Sequence, residues 1–324
     1  PAMILCGPNT DEDAGDCYGF CFVYSGNFTA SAQQDQRNQT RIQMGIHPDF
    51  FSFRLAPGEV FCAPQVILSY SSRGLTALSR SYHRILREHM CRGPWKHARR
   101  PVLINNWEAT YFDFNREKLL AIASQAAELG IEMLVLDDGW FGKRDDDNSG
   151  LGDWFVNTEK LGGTLTDLSE QIHRMGMKFG LWFEPEMVSE DSDLYRAHPD
   201  WALTIPGREP NRGRNQLVLN MARPDVRDYL LERLTDILSN AKIDYVKWDM
   251  NRSICDIFSS CPGTERTGEL YHRYVLGVYE LLEGFLARFP HILLEGCSGG
   301  GGRFDAAMLY YAPQIWCSDN TDAV

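Results

Sequence analysis

The stretch YVKWDMNR, residues 245–252, sets a lysine and an aspartate two positions apart in an otherwise apolar run. Side chains alternate along an extended chain, so Lys247 and Asp249 point the same way. A face with a full charge of each sign is not a core face. Other apolar runs end alike. LDDGW closes on Asp137 and Asp138, and GLWFEPEM holds Trp182, Glu184 and Glu186. LLEGCSGGGG brings Glu295, Cys297 and Gly299 to Gly302; IWCSDNTDA brings Trp316, Ser318, Asp319 and Asp322. Paired carboxylates suit glycoside hydrolysis, where one attacks the anomeric carbon and another protonates the departing oxygen. Lys247 supplies a positive charge beside Asp249, which suits an ionised nucleophile. Tryptophans offer flat faces to sugar rings, and Asp, Lys and Arg reach hydroxyls in pairs.

Each piece also has a plainer reading. Asp-Gly in LDDGW fits a tight turn. Lys247 and Asp249 fit a structural ion pair, and Glu184 and Glu186, flanking Pro185, fit a brace at the mouth of a site. The glycine run fits a flexible loop; no Lys-Ser/Thr follows it, so a phosphate cradle is weakly supported. Four successive runs ending in ionisable residues are harder to explain by stability alone.

The elements that must position these residues alternate. From Pro101, strands are predicted over 102–107, 131–140, 178–187, 243–250, 291–302 and 313–320. Helices are predicted over 116–130, closing at Gly130, over 165–180 with Thr166 as N-cap, over 223–241 with Pro224 in the first turn, and over 268–289. Residues 215–221 form a short extra strand on an excursion between the third and fourth units. Alternation of this kind implies an α/β protein with a parallel sheet. Polar residues at the strand C-termini point to a (β/α)8 TIM-type barrel, truncated after about strand 6. A doubly wound sheet is the alternative, without its usual GxGxxG turn. The missing strands, the start at Pro1 and the abrupt end at SDNTDAV together suggest a fragment.

Earlier segments, 19–33, 39–46 and 50–72, are rich in Phe, Tyr, Val and Thr and are broken by Gly, Asn and Pro. They predict antiparallel strands, part of a β-sandwich. A helix over 75–90 follows, with Leu75, Leu78, Tyr82 and Leu86 on one stripe, then a connector. The domains are expected at 1–98 and 99–324. Among the 324 residues, 44 acidic against 32 basic give a net charge of −12, which opposes nucleic acid as partner. No apolar run approaches the roughly 20 residues that span a bilayer. Nine cysteines, an odd number, favour free thiols and a cytoplasmic location. Cys17 with Cys21, or Cys255 with Cys261, would make half a zinc site. No matching second pair follows, so neither metal nor cofactor is expected.

LVLDDGWF, GLWFEPEMVS, YVKWDMNR, LEGCSGGGGRFD and IWCSDNTDA, in this order and spacing, resemble the motifs of glycoside hydrolase family 36, the microbial α-galactosidases. The resemblance covers essentially the whole chain; the end of the barrel and the family's C-terminal β domain are lacking. It implies retaining hydrolysis of terminal α-galactosyl residues, as in melibiose and raffinose, through a covalent galactosyl-enzyme. It implies Asp249 as nucleophile and Asp319 as acid/base. Asp137, Asp138 and Lys247 would bind galactose hydroxyls, the aspartates reading the axial O4 and O6. Cys297 and the Gly299 amide would lie near O2. Trp182, Arg214, Asn251 and Trp316 would line the pocket, with Trp107 near the leaving group. A homo-oligomer acting on α-galactoside oligosaccharides is implied for the full-length protein. The alternatives are a Schiff-base aldolase using Lys247, a non-catalytic sugar-binding protein, a transglycosylase, and an α-N-acetylgalactosaminidase.

Overall fold

The structure, a computed structural model, describes residues 1–258 and 264–320. Cys261 and Asp322 lie outside the described residues.

Five strands open the chain: β1 (Ala2–Cys6), β2 (Cys17–Val23), β3 (Phe28–Gln34), β4 (Thr40–Ile46) and β5 (Gln65–Ser71). All pair antiparallel. β2 lies between β1 and β5, and β3 and β4 form a separate hairpin. Of the strand predicted over 50–72, only Gln65–Ser71 pairs. The aromatic residues ahead of it are used differently. Phe51, Phe53 and Phe61 gather around the ring of His272, at centroid distances of 6.2, 6.1 and 5.3 Å. Their β-like composition reflects docking against the second half of the chain rather than a sheet. Helix α1 (Gly74–Ile85) follows, with Leu78 buried as its stripe requires.

The remaining elements are β6 (Leu103–Asn105), α2 (Trp107–Thr110), α3 (Arg116–Glu128), β7 (Met133–Leu136), α4 (Leu165–Arg174), β8 (Lys178–Phe183), β9 (Met187–Val188), α5 (Asp193–Ala197), β10 (Leu217–Val218), α6 (Pro224–Asn240), β11 (Tyr245–Trp248), α7 (Leu270–Arg288), β12 (Leu293–Gly296), α8 (Ala306–Tyr311) and β13 (Gln314–Ile315). One six-stranded sheet runs β6-β7-β8-β11-β12-β13, every neighbouring pair parallel. Spatial order follows chain order without reversal. That is the arrangement of a (β/α) barrel; a doubly wound sheet would reverse at a switch point. Among the described residues the sheet is open between β6 and β13. The predicted excursion is the antiparallel pair β9 and β10, set apart from the main sheet.

Local chemistry fixes the helices. Asn115 caps α3 by accepting from the Lys118 N–H, and Gly130 ends it at φ +82°. The cap of α4 is Thr164, not the expected Thr166. Thr164 accepts from the Asp167 N–H, and Asp167 reaches back to the Thr164 N–H. This reciprocal pair outcompetes Thr166, which is already the second residue of the helix. The Thr166 hydroxyl instead meets the Asn240 carbonyl.

Two-residue periodicity divides the sheet. Leu134, Leu136, Phe179, Leu181, Phe183, Val246, Trp248 and Leu294 join the large core under the helices. The opposite parity gives a small inner cluster of Met133, Val135, Tyr245 and Leu293, with Leu103 against it. Gly180 makes room there: a Cβ on it would lie 2.5 Å from the Tyr245 ring. One step further along each strand, that inner face becomes Asp137, Trp182, Lys247 and Glu295. The step after holds Glu184, Asp249 and Cys297. An apolar floor thus turns charged at one height.

Candidate active site

Above that floor, at the strand C-termini, opens a cavity of about 580 Å³. Its lining brings together Trp107, Asp137, Asp138, Trp182, Arg214, Lys247, Asp249, Asn251, Trp316 and Asp319. Cys297 is buried beside it, where burial and the charge of Asp249 push its thiol pKa up. Gly299 does not line the cavity, and its N–H is donated to Asn251 Oδ1 at 3.0 Å.

Three donors hold Asp249. Trp182 Nε1 (3.0 Å) and Asn251 Nδ2 (2.7 Å) reach Oδ2, and the Met250 N–H (2.9 Å) reaches Oδ1. Lys247 shares the face of Asp249 but bonds elsewhere, to Asp137 Oδ2 at 3.1 Å. Residues i and i+2 of a strand stand about 6.6 Å apart, so the lysine stem reaches across the barrel to the β7 carboxylate. Burial opposes the charge on Lys247. Asp137, then Cys297 and Asp249, outweigh it and raise the ammonium pKa above its usual value. Asp137 also accepts from Asn105 Nδ2 at 2.5 Å.

Asp138 is clamped by a residue that no motif singles out. Arg144 donates Nε to Oδ1 (3.0 Å) and Nη2 to Oδ2 (2.8 Å). Both are buried, at 2% exposure for Arg144 and 5% for Asp138. Burial raises the Asp138 pKa, and Arg144 counters it. Arg144 sits in GKRDDDNSG, which reads as a solvated turn. Only the need of a buried Asp138 for a counter-ion points to it.

The two glutamates of FEPEM part company. Glu186 is fully buried. It accepts from Trp248 Nε1 (3.0 Å), Tyr274 OH (2.8 Å) and Arg303 Nη2 (2.7 Å), which makes it a brace. Glu184 lies beside Asp249, its Oε1 accepting from the Asn251 N–H (2.5 Å) and Gln216 Nε2 (2.8 Å). Glu295, below the cavity, is taken up by the Tyr245 hydroxyl and by Gln314 Nε2 at 2.5 Å.

Aromatic packing orients the tryptophans. Trp182 stacks on Phe141 at 6.2 Å and 11°. Trp107 meets Phe112 edge-on at 5.0 Å, and its N–H bonds to Asn105 Oδ1 at 2.7 Å. Lys247 Nζ lies 4.8 Å over the Trp316 ring, whose Nε1 donates to Asp319 Oδ1 at 3.1 Å. Arg214 arrives on the tip of the excursion. The turn Gly213–Gln216 closes through the Gln216 N–H to the Gly213 carbonyl (3.2 Å), with Arg214 at φ +52° and Asn215 at φ +58°. Two left-handed residues at a two-residue tip favour Asn or Gly. An arginine there costs about 1 kcal/mol or more, and the strained tip presents its cation to the cavity.

The glycine run is needed for close approach. A Cβ on Gly300 would stand 2.8 Å from Ser318 Cα and 3.1 Å from the Asp319 nitrogen, and one on Gly301 would stand 2.9 Å from the Cys317 carbonyl. Gly300 also has φ +84°. Gly300→Ala is therefore expected to displace the Asp319 loop. Turnover should fall about 10- to 100-fold, with a smaller change in KM. Steady-state kinetics of the variant checks this; unchanged kcat would show that the loop yields without consequence. Among the described residues, no group of three or more His, Cys, Asp or Glu side chains is placed to hold a metal ion. No helix among them is long and apolar enough to cross a membrane.

Residues 60–324 match the family described as Melibiase, and residues 1–56 match the Glycosyl hydrolase family 36 N-terminal domain. The bifunctional alpha-galactosidase/sucrose kinase AgaSK of Mediterraneibacter gnavus is 58% identical over all of this chain and 34% of its own length. Alpha-galactosidase AgaA of Geobacillus stearothermophilus is 55% identical over all of this chain and 44% of its own. A crystal structure of AgaA superposes with a TM-score of 0.98, at 55% identity, over the whole chain and 45% of that structure. Variants of AgaA have been solved in complex with raffinose and with stachyose. The chain spans less than half the length of these relatives.

Proposed function

The chain belongs to the Melibiase family, glycosyl hydrolase family 36, and from that premise we propose that the protein containing it is a retaining α-galactosidase. It removes terminal α-galactosyl residues from oligosaccharides such as melibiose and raffinose. The observation that carries this reading is one cavity shared by Asp249, held by three donors, and the exposed Asp319 two strands away.

Asp249 attacks the anomeric carbon and forms a galactosyl ester, while Asp319 gives its proton to the departing oxygen. Asp319 then takes a proton from the water that cleaves the ester. The donors on Asp249 aim the carboxylate before substrate arrives, so little reorganisation remains for the transition state. Asp137, Asp138 and Lys247 form a charged wall for the hydroxyls, acceptors beside a donor, which discriminates an axial from an equatorial group. Trp182 and Trp316 flank the ring, and Trp107 stands toward the leaving group. Arg214 closes the far side, Asn251 steadies the nucleophile, and Cys297 lies near O2. The Gly299 amide reaches the sugar only by exchanging its bond to Asn251. A Schiff-base mechanism is disfavoured, because Lys247 would have to release a proton that Asp137 holds in place. The eight described cysteines are all free thiols, which supports a cytoplasmic site of action. Two domains, 1–98 and 99–324, and homo-oligomeric assembly complete the reading.

The test is an assay of the full-length gene product on p-nitrophenyl α-galactoside, with the α-glucoside and α-N-acetylgalactosaminide as controls. A preference of about 100-fold or more for the galactoside is expected from a wall that hydrogen-bonds the axial hydroxyl. Equal turnover of the glucoside, or none of the galactoside, would overturn the assignment.

A further inference from the structure

Glu184 follows β8 and is 1% exposed. Its single oxygen Oε1 accepts both the main-chain N–H of Asn251 and the side-chain amide of Gln216. The side chain of Asn251 then works in two directions. Nδ2 holds Asp249 Oδ2 at 2.7 Å, and Oδ1 receives the Gly299 N–H at 3.0 Å. Glu184 therefore grips the backbone of the residue that ties Asp249 to the glycine loop. Through Gln216 it also grips the end of the turn that carries Arg214.

We propose that Glu184 is a positioning residue for galactosyl transfer, fixing Asp249 through Asn251 and the turn of Arg214 through Gln216. This rests on the reading of Asp249 as nucleophile. Two adjacent buried carboxylates do not both ionise readily. The charged groups facing Glu184 are Asp249, beyond β11, and Arg214, in the turn before β10. Burial first, and the charge of Asp249 second, push the Glu184 pKa up to about 8, against the pull of the Asn251 N–H, Gln216 and Arg214. The consequence for stability has a definite sign. The unfolded chain releases this proton near the ordinary value of 4.5, and the folded protein keeps it to about 8. Between those values the unfolded state binds fewer protons, so stability falls as pH rises. An amide at position 184 keeps the acceptor oxygen and removes the dependence.

The full-length protein is compared as wild type, Glu184→Gln, Glu184→Ala and Glu184→Asp. Two readouts are used: kcat and KM on p-nitrophenyl α-galactoside at pH 6, and thermal midpoints at pH 5 and pH 8. Glu184→Gln should keep kcat within about threefold, because the isostere preserves both accepted bonds. Glu184→Ala should lose at least about tenfold in kcat with KM within about threefold, the mark of a misplaced nucleophile rather than weakened binding. The midpoint difference between Glu184→Gln and wild type should shift in the variant's favour from pH 5 to pH 8. Wild-type kcat in Glu184→Ala, equal losses in Glu184→Ala and Glu184→Gln, or a midpoint difference constant with pH would each overturn the proposal. If Glu184→Ala does not fold, Glu184→Asp takes its place, since the shorter side chain withdraws the carboxyl, and the same loss is expected. A wild type inactive on galactosides would sink the reading of Asp249 instead, and the midpoint difference would still decide where the proton sits.

Discussion

Asp249→Gly in the full-length protein should lower kcat/KM on p-nitrophenyl α-galactoside by about 10⁴-fold or more, the scale seen when a nucleophile is removed. Three donors converge on this carboxylate and aim it into the cavity it shares with Asp319. Azide should restore turnover of an activated substrate by entering the vacated space, giving β-galactosyl azide. Asp319→Gly should instead accumulate the covalent ester and yield the α-azide. Both outcomes follow from two displacements at one carbon, as does release of α-galactose first by the wild type. Proton NMR of the earliest product decides the matter: β-galactose before mutarotation would rule out the covalent route. Stability should move the other way. Asp249→Asn removes one of two crowded carboxylates, so its thermal midpoint is expected at or above that of the wild type, as strained active sites generally trade stability for rate.

Asp138→Asn should show two separable defects. The first is in folding. Arg144 would keep its charge at 2% exposure with a neutral partner, and breaking a buried pair from one side costs about 3–5 kcal/mol. The second is in the sugar site. Loss of charge-assisted bonds worth about 1.5–3 kcal/mol each should cut kcat/KM at least tenfold and relax the galactoside-to-glucoside ratio. A double variant, Asp138→Asn with Arg144→Met, separates them. Denaturant midpoints should recover much of the stability, because no unpaired charge remains, while kcat/KM stays low. If Asp138→Asn leaves both the ratio and kcat/KM unchanged, LDDGW is only a turn.

Much of this arrangement was legible in the chain because period and punctuation are local signals. The six parallel strands, the excursion at Leu217–Val218 and the charged strand ends are visible as apolar runs that break at one end. What escaped is non-local. Phe51, Phe53 and Phe61 have strand-like composition, yet their partner is His272, more than two hundred residues away. Lys247 shares a face with Asp249 but bonds Asp137, because reach across a barrel interior is not encoded in spacing along one strand. Arg144 lies among acidic neighbours in the sequence, and nothing local says that Asp138 is buried. Glu184 and Glu186 are indistinguishable in FEPEM. Only the fold sends one to Arg303 and the other to Asn251.

The strained turn at Arg214 and Asn215 lies just ahead of β10, in a strand pair outside the six-stranded sheet. It is tied to the mouth of the barrel by Gln216, whose side-chain amide donates to Glu184 and whose carbonyl accepts from Arg252. Divergence at the turn can therefore alter the lining of the cavity, and only changes that leave Gln216 in place spare the carboxylates behind it. The same tip is a trap for stability engineering. Exchange of Arg214 for glycine would relieve the left-handed backbone and score as an improvement in any screen on melting temperature alone. It would also withdraw a cation from the cavity that holds Asp249, so thermostable variants selected without substrate should drift toward proteins that persist longer and bind less.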